Sequence, residues 1–304
     1  MNYYAVSSFN FSEMLERLLA EMTVEVGGGS WSALIDTAFD QGGYPLRWSS
    51  ERSPVYFQGR LAPLKEVSPV LYRLEHANTA VLRQQLLRLL RHCQGRPMLS
   101  FVLADMEAAQ LCLSWQSILE VETEDSQMFV LRFADTRTLP TIEKVLRKGA
   151  WEILSGNVRR WLFINREGAL QELDVISADR AVEAGKAPSN RISDPALAEI
   201  LRSGQVDALA SALNEYFPEL LFGREGGQVH DRLAEIDAFA AQHEIDAFPD
   251  VAALAVADFS SGGALINSES FAQWFERRPW VSKGMTEALT EYLDLTAQEC
   301  IKCA

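Results

Sequence analysis

The sequence has little of what several kinds of function require. Of its 304 residues, four are cysteine (Cys93, Cys112, Cys300, Cys303) and four are histidine (His76, His92, His230, His243). Four cysteines are too few for a disulfide scaffold and point to a reduced compartment. No histidine sits in an HExxH pattern and no second CxxC exists, so no zinc site is spelled out. Cations are scarce as well: 28 Lys and Arg face 42 Asp and Glu, a formal charge of −14. This balance argues against nucleic acid and an anionic membrane as partners, because both are bound through clustered Lys and Arg. No apolar run approaches the roughly 18 residues of a membrane helix. The first cation, Arg17, comes too late for a secretory leader. A cytoplasmic protein is expected.

Hydrophobic residues, by contrast, reach 48 %, enough to exclude disorder and to fill one large core or two smaller ones. Residues 1–182 mix strands with helices. Ser12 is placed to cap a helix striped by Met14, Leu15, Leu18 and Leu19. Strands are expected at 31–37, 55–57, 70–74, 98–104, 119–123 and 128–134, with a loop at 41–45. The spacing of Leu82, Leu86, Leu89, Leu90 and Cys93 predicts a helix over 78–93. A second helix is expected at 106–117, and a third starts at Pro140 and runs to about residue 148. A hairpin joins 158–165 to 170–175 around Arg166-Glu167-Gly168. Residues 183–195 have linker chemistry. Beyond them strand signals vanish, and helices are expected from Asp194, then at 206–216, 229–242, 268–277 and 282–299. The expected architecture is an α/β (α+β) N-terminal lobe (1–182) with a mixed sheet and flanking helices, a linker (183–195), and a mainly α-helical C-terminal lobe (196–304).

Local motifs for catalysis are weak. Cys300-Ile301-Lys302-Cys303 could be half a zinc site or a redox pair, but it lies at the chain end with no partner ligands. Gly27-Gly28-Gly29-Ser30 precedes a strand and lacks both the strand-to-helix elbow of a hydrolase and the Lys of a phosphate loop. His243 is suited to the end of a helix dipole. The Arg83/Arg88/Arg91/Arg96 set reads as a solvated helix face, and Glu120, Glu122, Glu124 and Asp125 as a solvated strand edge and turn. No catalytic residue, cofactor site or metal site is assigned. The segment richest in information is Arg132-Phe133-Ala134-Asp135-Thr136-Arg137-Thr138-Leu139, where Asp135 and Arg137 bracket a turn and can form an ion pair.

This segment carries a family resemblance. Together with Trp31-Ser32-Ala33-Leu34-Ile35-Asp36, Ser53-Pro54-Val55-Tyr56-Phe57-Gln58-Gly59, Ser68-Pro69-Val70-Leu71-Tyr72-Arg73-Leu74 and the strand–helix–strand unit from residue 98 to Val121, it resembles the conserved region of the type VI secretion effector-adaptor (effector chaperone) proteins, formerly a domain of unknown function. The resemblance covers residues 31–173. Thr136 stands where that family usually has proline and Ala134 where an aromatic is common, and Ser114-Trp115-Gln116 replaces its usual His-Leu-Arg. It implies a non-enzymatic cytosolic adaptor that binds a cognate toxic effector and helps load it onto the valine–glycine-repeat spike or its PAAR-type tip. Arg132, Asp135 and Arg137 become family-motif residues, structural or partner-binding.

In the helical lobe, Phe271, Trp274, Phe275 and Trp280 are candidate partner anchors, internal packing being the alternative. An immunity-type inhibitor and an unrecognised hydrolase or transferase are the competing functions. Charge is unevenly shared. Residues 1–190 hold 20 basic and 23 acidic side chains, whereas 191–304 hold 8 and 19, which suggests a nearly neutral shared lobe and an acidic, cargo-specific one.

Overall fold

Asn10, not Ser12, starts the first helix: its side-chain oxygen accepts the Glu13 N–H at 3.3 Å and its carbonyl accepts the Met14 N–H. The computed structural model describes residues 3–23, 28–40, 46–147, 149–176 and 190–303, with side chains up to residue 296. The expected loop at 41–45 therefore lies outside the described residues, as do 183–189 of the linker and the Cys300 and Cys303 side chains. Two compact units are present, Val6–Gly204 and a second made of Met1–Ala5 with Gln205–Ala304.

The first unit runs α1 (Phe11–Thr23), β1 (Ser30–Asp36), β2 (Arg52–Pro54), β3 (Pro69–Arg73), α2 (Thr79–Cys93), β4 (Leu99–Ala104), α3 (Ala108–Ser114), β5 (Glu120–Glu122), β6 (Met128–Val130), α4 (Leu139–Val145), α5 (Ala150–Ser155), β7 (Val158–Ile164) and β8 (Leu170–Leu173). The expected α+β lobe is there. Six strands form one sheet in the order β2-β3-β1-β4-β7-β8, each neighbour antiparallel, and β5 pairs with β6 in a separate ladder. Both faces of β1 and β4 are buried, so Ala33-Leu34-Ile35 of β1 and Phe101-Val102-Leu103-Ala104 of β4 are continuous apolar runs rather than alternating ones.

One face of the sheet holds an aromatic core. Trp161 of β7 stacks on Trp115 with ring centres 5.8 Å apart, Trp151 lies 5.4 Å from Trp161, and Phe133 meets Trp115 edge-on at 5.1 Å. Each of these three indole N–H groups has an acceptor: Trp115 donates to the Leu154 carbonyl, Trp151 to that of Asp174 and Trp161 to Ser100 Oγ. Burial of these rings therefore strands no donor. On the other face, Arg160 lies over the Trp31 ring and reaches Glu21 of α1 at 2.8 Å.

Where structure and expectation differ, hydrogen bonds explain it. The strand expected at 55–57 lies at Arg52–Pro54 because Ser68 Oγ takes the Tyr56 N–H and ends the ladder. The strand expected at 128–134 stops at Val130, since Phe133, Asp135 and Thr138 turn back on Leu131, Arg132 and Asp135. The helix at 106–117 shortens to α3 and tightens into a 3-10 turn, Trp115–Ile118. A 3-10 stretch at Gly59–Val67 and the short helix α5 were not expected. Neither is long enough to show a period.

The second unit comprises the later part of α6 (Asp194–Tyr216), then α7 (Gly226–Gln242), α8 (Phe248–Ser260), α9 (Glu269–Phe275), α10 (Trp280–Lys283) and α11 (Met285–Cys303). The C-terminal half is helical as expected, although α6 continues unbroken where two helices were expected. The expected helix 282–299 is divided at Gly284, whose φ of 87° breaks the α conformation. The apolar window 251–257, expected only as a core element, forms α8. In its core Asp258, fully buried, is held by Arg232 at 2.6 and 2.8 Å and accepts the Ile266 N–H.

The β7–β8 turn supplies a test. Gly168 has φ 76°, and a Cβ there would lie 3.0 Å from Phe9 Cα. Gly168→Ala should destabilise the unit by about 1–3 kcal/mol, read as a lower denaturation midpoint. An unchanged midpoint would contradict this placement.

Candidate partner-binding site

Asp36 ends β1, and the following 3-10 turn, Thr37–Asp40, brings Phe39 and Asp40 up beside it. The family-motif residues converge on this turn. Arg132 bonds Asp36 at 2.9 Å and lies 3.6 Å from Asp135. Arg137 grips both oxygens of Asp135, at 3.0 and 2.8 Å, and its own backbone N–H donates to the same carboxylate at 3.0 Å. Both guanidinium groups lie 5.3 Å from the centre of the Phe39 ring. On the same turn, Asp40 meets Arg96 at 2.8 Å and His92 at 2.9 Å. The structure thus joins all three motif residues and adds Asp36, Phe39 and Asp40, together with Arg96, which was expected on a solvated helix face and instead lies part-buried beyond the end of α2.

Burial sets the roles. Asp135 is 1 % exposed and Asp36 4 %, whereas Arg132 is 47 % exposed. Asp135 with Arg137 closes the turn that follows β6, so that pair is structural. Only Arg132 presents a charged head to the surface. Burial pushes the Asp36 carboxyl up from its ordinary value despite the opposing pull of Arg132. The Tyr56 phenol is pushed up to about 12, mainly by burial and then by the Asp36 charge.

Two residues before Arg132, with the buried Leu131 between, β6 ends after presenting Met128, Phe129 and Val130 at 41, 41 and 38 % exposure. The bonds Thr123 N–H to Gln127 and Leu131 N–H to Leu119 fix the ladder register. By antiparallel alternation, the main-chain groups of Met128 and Val130 then point away from β5. The outer edge of β5 is covered: Glu122 and Ile192 exchange bonds with Asn190 and Glu122. Among the described residues, no strand covers the outer edge of β6. The four acids singled out nearby are engaged locally. Glu120 meets Arg60, Glu122 meets Arg191, Glu124 accepts the Asp194 N–H, and Asp125 bonds Thr123 and Gln127.

The aromatic candidates divide. Phe271 and Phe275 are fully buried against Phe239, Tyr292 and each other, which leaves them no surface for a partner and corrects their assignment as anchors. Trp274 and Trp280 stay half-buried at the edge of this cluster. His243 caps α7 and packs its ring on Phe239 and Phe275. Cys93 and Cys112 are buried thiols whose ionisation burial opposes, Cys112 reaching about 12. A cavity of about 740 Å³ beside Trp31 is bordered by Arg73, His76, Asp105 and Glu107. Its charges are tied into pairs, Arg73 with Glu107 and Asp105 with Arg159. Among the described residues, no group of three His, Cys, Asp or Glu is placed to hold a metal, and no helix is long and apolar enough to cross a membrane.

The matched segment starts at Trp31 of β1 and closes just past the motif turn. Residues 31–152 match the family described as Domain of unknown function (DUF4123). The DUF4123 region therefore holds β1 to β6, the Arg132–Asp135–Arg137 cluster and the start of α5. No curated protein and no solved structure matches the chain.

Two outcomes test the cluster. Because the Asp36 folded-state value lies above its ordinary 3.8, its contribution to stability is complete below that value and is lost as pH rises through the folded-state value. The melting temperature of the wild type relative to Asp36→Asn should therefore fall as pH is raised from about 3.8, and a pH-independent difference would refute the assignment. Asp135→Ala removes the buried carboxylate that accepts both the guanidinium and the main-chain N–H of Arg137 and should cost about 3–5 kcal/mol in urea unfolding. A cost below 1 kcal/mol would show that the pair does not hold the turn.

Proposed function

We propose that the chain is a non-enzymatic cytosolic adaptor that binds a cognate type VI secretion effector and promotes its loading onto the spike protein. The observation that carries this is the uncovered β6 edge inside the DUF4123 region. Three consecutive exposed apolar side chains, with main-chain donors and acceptors directed outward, make a surface suited to strand addition by another polypeptide. Natural proteins usually cover or charge such an edge. The half-exposed Arg132, one residue beyond the buried Leu131 that follows this strand, supplies a charged contact near its end. In this assignment the DUF4123 region serves the task shared by such adaptors, contact with the spike. The acidic helical unit holds the effector.

Co-purification with the products of the neighbouring effector and spike genes tests the proposal. The wild type should retain both. Val130→Pro removes an outward N–H at a position where an edge strand tolerates proline, and should lose the spike while keeping its melting temperature. Folded wild-type protein that retains neither product would defeat the proposal. Neutralisation of the toxin by this chain alone would instead mark an immunity-type inhibitor.

A further inference from the structure

Helix α8 reads Phe-Pro-Asp-Val-Ala-Ala-Leu-Ala-Val-Ala-Asp-Phe-Ser, apolar on almost every side. A helix of that composition is normally enclosed. Here Val251, Leu254, Ala255 and Phe259 are buried in the second unit, whereas Ala252, Ala253 and Val256 are only half-buried. Those three and Pro249 line one wall of a groove of about 290 Å³, with Leu289 and Leu293 of α11 on the other. Carboxylates adjoin the lining in sequence: Asp250 follows Pro249, Glu287 follows Thr286, and Asp294 follows Leu293. None of the three has an ion-pair partner among the described residues. α8 contains no Lys or Arg, and α11 has none before residue 302.

We infer that this groove seats an amphipathic helix with basic flanks, supplied by the partner that the acidic unit holds. The inference takes from the adaptor proposal only that this unit binds a partner. A helix fits better than a strand. The main-chain groups of α8 and α11 are bonded within their own helices and offer a strand nothing to pair with, so side-chain packing must do the holding. The small side chains of Ala252 and Ala253 let a third helix approach to the usual 8–10 Å. From Pro249 to Ser260 the lined wall is about 16 Å long, three helical turns. A second copy of this chain is disfavoured by charge, since residues 205–304 carry 17 acidic and 6 basic side chains and would repel themselves. The same excess attracts Lys and Arg.

The test uses the full chain and two fluorescent 15-residue probes, an amphipathic Leu/Lys helix and its Leu/Glu counterpart. The Leu/Lys probe should bind saturably at one per chain, and the Leu/Glu probe at least tenfold more weakly. Ala253→Trp fills the groove and should weaken Leu/Lys binding at least tenfold. Glu287→Lys with Asp294→Lys changes only exposed positions, so it guards against misfolding of the first variant. It should weaken binding several-fold and flatten its salt dependence. Equal binding by either folded variant, equal binding of the two probes, or dimerisation of the chain through this face would overturn the inference. Loss of co-purification by the wild type, with groove-dependent Leu/Lys binding intact, would defeat the adaptor proposal and leave the groove assignment standing.

Discussion

The local order of the first unit depends on one ring. Phe133 is fully buried between Trp115 and Trp161, two large side chains whose own N–H groups are satisfied. With Phe133 pinned in the core, its neighbours are directed to fixed places. Arg132 meets Asp36 at the end of β1, and Asp135 accepts Arg137. The turn between β6 and α4 is therefore held from both sides, by apolar packing beneath and by charge-assisted hydrogen bonds above. Packing sets where the turn lies, and the buried Asp135 carboxylate, bonded to both the side chain and the main chain of Arg137, sets its conformation.

How far the sequence could be read follows from where structure is encoded locally. α2 has a strong stripe and an asparagine cap, and it lies within one residue of the expected span. The β7–β8 hairpin announces itself through Arg166-Glu167-Gly168. α8 does not, because a helix that is apolar on every face has no period to detect. β6 ends early for a different reason: apolar residues continue to Ala134, but the Phe133 and Asp135 N–H groups bond back to Leu131 and Arg132 and turn the chain. The motif residues Arg132, Asp135 and Arg137 were legible as a group. Their partners Asp36 and Phe39 were not, since they lie about a hundred positions away and meet the motif only through sheet topology. Among the aromatics, composition could not separate the buried Phe271 and Phe275 from the half-buried Trp274 and Trp280.

The two units present different surfaces, and the difference suits two different partners. The first offers main-chain hydrogen bonds along a short apolar edge, a mode that depends little on the partner's sequence. The second offers a side-chain groove with acidic neighbours, a mode that depends strongly on it. A shared task and a specific one would be divided in just this way.

Asp258 places a limit on how the helical unit can change. Its carboxylate serves Arg232 through two bonds and the Ile266 N–H through a third, so three segments share one buried charge. Replacing Arg232 alone leaves the Asp258 charge unbalanced in the core, whereas replacing Asp258 leaves Arg232 its bond to Glu235 but strands the Ile266 N–H. The two positions are therefore unequal: Asp258 ties α7, α8 and the Ile266 turn together, and its loss costs the unit more bonds than the loss of any one neighbour it serves.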